Sequence, residues 1–269
     1  MNRFQDIDYV RKLYSEEQQI PFRGEFLKTY SNRNRSIRDI LFSFIGGLDS
    51  KSVLDIGAGS GSFIKKLQDA YPHATYVALD IAEHPDLKQR KSITYKIYDG
   101  EELPLELGRF DVILMMHMLY HVSHVEAFLR QVAEKFVKEK TKIYITTKSK
   151  NTMPKIEASF QNVLNAMETS YEFKALERDE AHFSRENAYE LIEKSFKDIK
   201  HTIKQYDFDT QLLVDNQEDL LNYILSTPRY GDNKLLNDDP EYLTQWKAEL
   251  AKDELFIDKY SESLYVIEF

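Results

Sequence analysis

The chain has 269 residues, 42% of them hydrophobic, which suffices to bury the core of one elaborated domain or of a catalytic domain with a cap. A net charge of −9 speaks against a nucleic-acid surface, which normally carries a basic stripe. The absence of cysteine removes disulfides, thiolate metal sites and cysteine nucleophiles from consideration.

The N-terminal run MNRFQDIDYVRKLYSEEQQ is charged throughout and lacks the apolar centre of a signal peptide. Residues 1–50 are expected to form a helical cap: Ile37, Ile40, Leu41, Phe44 and Ile45 recur at helical spacing, and Gly46-Gly47 stop the helix. From Lys51 short apolar runs alternate with amphipathic stretches. Strands are expected at Ser52–Ile56, Thr75–Asp80, Ile93–Tyr98, Phe110–Met115 and Lys142–Thr147, with helices at Ser62–Tyr71 and Val125–Val137. Such alternation implies a parallel sheet covered on both faces. The longest uncharged run, Val112 to Val125, is too short to span a membrane, so a cytoplasmic chain with no membrane partner is expected.

Beyond Lys148 the pattern loosens. Pro154 to Phe173 has helical spacing, and Ser184 is a good N-cap for a helix over Arg185 to Phe196. A strand is expected near Ile199 to Phe208 and a helix over Glu218 to Ser226. Asp239-Pro240 starts a helix running to about Leu255. The closing SLYVIEF suits a final strand.

The motif that carries chemistry is VLDIGAGSG, Val53 to Gly61: an apolar strand runs into Gly57-Ala58-Gly59-Ser60-Gly61 and a helix follows. Glycines let the backbone turn sharply and a ligand approach closely. The helix start offers unpaired N–H groups to an anionic ligand group. The dinucleotide fingerprint requires a further glycine where Ser62 stands, which disfavours a nicotinamide oxidoreductase. Asp55 adds a carboxylate at the strand's end, able to receive an ammonium or to organise the loop. Asp80 closes the next strand, TYVALD, roughly 20 residues on, the separation expected of an acid on ribose hydroxyls.

In this order the motifs resemble those of the class I S-adenosylmethionine-dependent methyltransferases of the small-molecule type, over about Leu48 to Thr147. The resemblance implies a Rossmann-like α/β fold: a seven-stranded, mostly parallel, doubly wound sheet. Residues 51–150 would be its cofactor-binding core, with residues 151–269 completing the sheet and adding helical insertions over the substrate. It implies S-adenosyl-L-methionine as cofactor, held by Asp55, Gly57, Ala58 and Gly59 at its aminoacyl end. Asp80 would bind the ribose hydroxyls and Ile81 would lie along the adenine. Asp99 would accept from the adenine amino group, with Gly100 and Glu101 shaping that pocket. Met116 and His117 would contact the methionine part.

For catalysis, His121 follows the fourth strand, where the family often presents side chains to the acceptor, and histidine titrates in the useful range. Its other reading is an anchor for the following helix. Tyr30, from the cap, would meet the cofactor carboxylate or its sulfonium, or be one of 17 tyrosines serving the core. Arg33 is a second candidate for the carboxylate. Phe22, Phe26, Tyr120, Phe160, Phe183 and Tyr230 are candidates for an apolar acceptor pocket or for core. No metal is expected, despite the spacing of His117, His121 and His124, and Ser226–Arg229 has no assigned role. The expected function is methyl transfer to oxygen or nitrogen of a small molecule, the protein acting as monomer or homodimer. The alternatives are a protein or nucleic-acid methyltransferase, or a cofactor binder without activity.

Overall fold

The computed structural model describes residues 3–15, 19–33, 35–98, 100, 102–167, 182–231 and 240–269. Three helices lead: α1 (Ile7–Ser15), α2 (Gln19–Tyr30) and α3 (Ile37–Ile45). Ser36 caps α3 in a reciprocal box with Asp39. The alternating core follows as β1 (Ser52–Ile56), α4 (Ser62–Ala70), β2 (Thr75–Asp80), α5 (Pro85–Lys88), β3 (Ile93–Ile97), β4 (Phe110–Met116), α6 (Val125–Phe136) and β5 (Val137–Lys148). The C-terminal part contributes α7 (Pro154–Ala166), α8 (Arg185–Phe196), β6 (Thr202–Val214), α9 (Gln217–Ser226), α10 (Pro228–Gly231), α11 (Pro240–Leu250) and β7 (Phe256–Glu268).

The seven strands lie in the order β3-β2-β1-β4-β5-β7-β6, with β1 to β5 parallel and β7 antiparallel to both neighbours. The sequence starts at β1 in the middle and reverses direction there, so a crevice opens at the carboxyl ends of β1 and β4, where ligands of open α/β sheets bind. Alternation along the strands sorts the core into two layers. One face carries Leu54, Ile56, Ile113, Met115, Ile143 and Ile145 against α6 and α8. The other carries Val53, Ala78, Val112, Leu114 and Tyr144 against α3 and α4. Val53 to Ile56 are all buried, which explains why β1 reads as a continuous apolar run broken only by Asp55.

The expected strands and helices of the core are present, and the differences lie at element ends. β5 begins at Val137, directly after α6, and meets β4 through a bulge between Phe110 and Val112. β6 runs to Val214, and β7 starts at Phe256 rather than within SLYVIEF. These extra lengths pair with one another from Phe208↔Glu262 to Val214↔Phe256 and extend beyond the parallel strands. α11 therefore ends at Leu250 instead of reaching Leu255. α7 ends at Ala166, and the expected continuation to Phe173 and the cap residue Asp239 lie outside the described residues.

A third apolar cluster fills the space between this ribbon and α2, α7, α9 and α11. Its members include Phe26, Phe160, Tyr223, Tyr230, Tyr242 and Trp246, and Phe26 stacks on Tyr223 at 4.1 Å. Asp258, buried on β7, accepts from the backbone N–H groups of Lys155 and Ile156, so a distant carboxylate caps α7. Among the described residues no helix is long and apolar enough to cross a membrane.

Candidate functional site

The glycine loop leaves β1 by a turn that only small residues permit. Gly57 has φ +73°, and its N–H and that of Ala58 both donate to the Leu79 carbonyl of β2, at 2.8 and 3.1 Å. A Cβ on Gly57 would lie 2.8 Å from Met118, and one on Gly61 2.2 Å from Leu87. Gly59 differs: its φ is +54°, yet no protein atom lies within 4 Å of where a Cβ would point. That direction is open for a ligand. Gly61, in the left-handed conformation, precedes α4 and offers no side-chain cap to the helix's first N–H groups.

Asp80 joins the loop to β2. Its Oδ2 accepts from Gly59 N–H at 2.7 Å and its Oδ1 from Ala82 N–H at 3.0 Å. A carboxylate has about four lone-pair positions, so both oxygens retain capacity for a further donor such as a ribose hydroxyl. Asp55 is fully buried, and neither of its oxygens has a hydrogen-bond partner among the described residues. Burial, reinforced by the nearby Asp80 and opposed by Arg38, pushes its pKa up to about 7. An unsatisfied buried carboxylate beside a second one suits a cationic ligand group, and this is the observation that makes the residues present fit S-adenosylmethionine.

On the far side, Gly100 has φ +91°, and a Cβ there would lie 3.1 Å from Ile7 and 3.3 Å from Ile81. Ile81 is half-buried, and its carbonyl accepts from Arg11 Nε at 3.0 Å. Asp99 and Glu101 lie outside the described residues. Ile7 and Arg11 belong to α1, so the N-terminal helix overlies the place expected for adenine. Nothing in the sequence of α1 marks this, because its contacts are made through a carbonyl and a methyl group.

His121 holds the same segment down. Its Nδ1 lies 3.0 Å from the Phe4 carbonyl and its Nε2 2.9 Å from the Tyr14 hydroxyl. A carbonyl only accepts, so Nδ1 carries the proton and Nε2 accepts from Tyr14. Ser123 adds a bond to the Gln5 carbonyl at 3.2 Å. Both ring nitrogens of His121 are thus committed to the N-terminal segment, which departs from the expected catalytic role and also from anchoring the next helix. His124 stands at the N-cap of α6 without a side-chain cap bond.

Tyr30 is likewise placed in the cap. Its hydroxyl donates to Asp219 on α9 at 2.5 Å, and that bond is the main cause of a pKa pushed up to about 12. This bond commits the Tyr30 proton to Asp219. The aromatic candidates divide between two cores: Phe26, Phe160 and Tyr230 in the cluster beside the β6–β7 ribbon, Tyr120 and Phe183 beneath the sheet, while Phe22 is exposed.

At the end of β4, Met116 pairs with Thr146, and His117 takes a left-handed φ of +52° while its N–H donates to the Thr146 carbonyl. Its Nε2 lies 3.4 Å from Oε1 of Glu262 on β7. Glu262 is buried, pairs with Arg33 at 2.7 Å through Oε2 and accepts from Tyr260 at 3.1 Å. Burial opposes its ionisation, but the contacts to His117 and the charge on Arg33 outweigh it and hold the pKa near 2. Two further nitrogens of Arg33, Nε and Nη1, are buried without a partner among the described residues. Glu262 escaped the sequence reading, since its partners lie far away in the chain. Among the described residues no cluster of three or more His, Asp or Glu side chains is arranged to hold a metal ion.

The family profile described as "Methyltransferase domain" matches residues 30–209, about two thirds of the chain. The chain belongs to the methyltransferase-domain family. The methyltransferase domain is 31% identical over 77 residues to a malonyl-[acyl-carrier protein] O-methyltransferase of Geobacter sulfurreducens, covering 26% of this chain and 29% of that protein. It is 29% identical over 109 residues to a ubiquinone biosynthesis O-methyltransferase of Coxiella burnetii, covering 39% of this chain and 46% of that one. The matches therefore span less than half the length of either relative. In fold it is similar to the crystal structure of the plantazolicin methyltransferase BpumL in complex with a pentazolic desmethylPZN analog and SAH. The TM-score is 0.54 at 14% identity, over 99% of this chain and 95% of that one.

Proposed function

We propose that the chain transfers a methyl group from S-adenosylmethionine to an oxygen or nitrogen of a small molecule. The observation that carries this is the buried, unpartnered Asp55 beside the glycine loop. It is a carboxylate awaiting a cationic ligand in a family whose cofactor carries an ammonium and a sulfonium. When bound, that cofactor supplies an electrophilic methyl group. Asp55 receives the ammonium, and Gly57, Ala58 and Gly59 let the aminoacyl end approach. Arg33, with two unpaired buried nitrogens, meets the carboxylate. Asp80 binds the ribose hydroxyls with its spare lone pairs. Gly100 and Ile81 bound the adenine, with the expected Asp99 and Glu101 completing that pocket, and Met116 lines the methionine part. His121 acts through the N-terminal segment it fastens, and that segment excludes water from the adenosyl side.

The named relatives are O-methyltransferases, which supports oxygen as the acceptor atom. The acidic net charge favours a small-molecule partner over nucleic acid. Calorimetry with S-adenosylmethionine, S-adenosylhomocysteine and NAD tests the cofactor, and a labelled-methyl screen of small molecules tests transfer. Binding of neither adenosyl ligand by folded protein defeats the proposal.

A further inference from the structure

Side-chain alternation places Asp80 of β2, Asp55 of β1, Met116 of β4, Thr146 of β5 and Glu262 of β7 on the same face, at the edge where the parallel strands end. His117 stands at this edge, immediately before Met118, whose side chain closes over Gly57. We propose that His117 is the general base of this site and that Glu262 is the residue that positions it, an inference that rests on the methyl-transfer reading above.

Glu262 only accepts, so the ring nitrogen facing it, Nε2, carries the proton in the neutral imidazole. Nδ1 is then the bare, basic nitrogen, and it is buried with no partner among the described residues. An unpartnered buried polar atom destabilises the fold, and so does a left-handed backbone at a non-glycine residue. Both penalties fall on one residue at the ligand-binding edge, where such strain tends to serve function. His121, four residues on, has no bare nitrogen to offer. Glu262 is in turn fixed by Arg33 and Tyr260, so the imidazole has one preferred tautomer and orientation. In the transfer step the acceptor oxygen forms its bond to the methyl carbon, and the carbon–sulfur pair returns to sulfur. The acceptor's O–H proton passes to Nδ1, and Glu262 balances the imidazolium that results.

The test uses the full chain, labelled with nitrogen-15 and saturated with S-adenosylhomocysteine, and reads the imidazole nitrogens by NMR at about pH 8. His117 is expected with its proton on Nε2 and a bare Nδ1. Its signal disappears in His117→Gly and becomes a mixture of tautomers in Glu262→Gln. Glycine suits the left-handed backbone at this position, so His117→Gly stays folded. Its affinity for S-adenosylhomocysteine is expected to stay within about two-fold, well under the tenfold that 1.4 kcal/mol would bring. Turnover on an acceptor found in the labelled-methyl screen falls about 10²–10⁴-fold. A proton found on Nδ1 of His117, or a tenfold loss of S-adenosylhomocysteine affinity in His117→Gly, overturns the assignment and leaves His117 as a cofactor contact. Failure of the wild-type chain to bind S-adenosylhomocysteine refutes the methyl-transfer reading instead.

Discussion

The Tyr14 hydroxyl donates to Nε2 of His121 at 2.9 Å, across 107 positions of sequence. The bond fastens the N-terminal helix to the turn after β4, over the side where the proposed reading puts the adenosyl group. Tyr14→Phe removes one neutral hydrogen bond, worth about 0.5–1.5 kcal/mol. The expected result is faster amide exchange in residues 4–15 and weaker S-adenosylmethionine binding with an unchanged transfer rate at saturation. Equal exchange in variant and wild type would detach Tyr14 from the closure.

If Asp55 receives the ligand ammonium as proposed, cofactor binding should depend on pH. Its pKa, raised from 3.8 to about 7, means that the native chain holds a proton there that the unfolded chain has lost. Its destabilising effect therefore sets in as pH rises above 3.8 and is complete above about 7. A ligand ammonium reverses this, since it favours the ionised form. S-adenosylmethionine affinity should thus rise between pH 6 and 8, and Asp55→Asn should flatten the dependence while raising the melting temperature of the cofactor-free chain above pH 7. Calorimetry and thermal scans at the two pH values decide it.

Asp80→Ala removes a charged acceptor from the loop and, on the proposed reading, from the ribose. Each such bond is worth about 1.5–3 kcal/mol, so affinity for S-adenosylhomocysteine should fall at least tenfold. Circular dichroism should remain native, since the losses are local: the Gly59 and Ala82 N–H groups lose their acceptor and His84 Nε2 loses the carboxylate 3.5 Å away. Unchanged affinity would take Asp80 out of the site.

The glycines of the loop should separate by phenotype. Gly59→Val meets no protein atom and should keep the fold while losing the ligand. The left-handed backbone adds a stability loss of about 1–2 kcal/mol. Gly61→Val drives a side chain into Leu87 and should lower stability more, by the overpacking and backbone strain together. Paired melting and binding curves for the two variants show whether the loop faces the ligand at Gly59.

The parallel half of the sheet was legible because β1, β2 and β4 are buried on both faces and bracketed by turns, which makes their apolar runs conspicuous. The distal halves of β6 and β7 were hidden. In FIDKYSE the inward positions include Asp258 and Glu262, buried carboxylates that break the apolar alternation. Their compensating partners, the N-terminus of α7 and Arg33, lie 102 and 229 positions away. The same distance effect separates the site residues. Gly57 and Asp80 announce themselves by spacing along the chain. Which histidine had a nitrogen to spare depended on Tyr14, Phe4 and Glu262, contacts that exist only after folding.

The last strand also sets how this protein can be re-engineered. Phe256 and Tyr260 sit in the aromatic cluster beneath α2, α7, α9 and α11, while Glu262 and Leu264, on the same face, lie beside His117 and in the sheet core. The aromatic cluster and the sheet thus share an unbroken backbone. Helices transplanted onto the β6–β7 ribbon from another methyltransferase would have to bring their own final strand, or leave His117 beside a carboxylate selected for different packing.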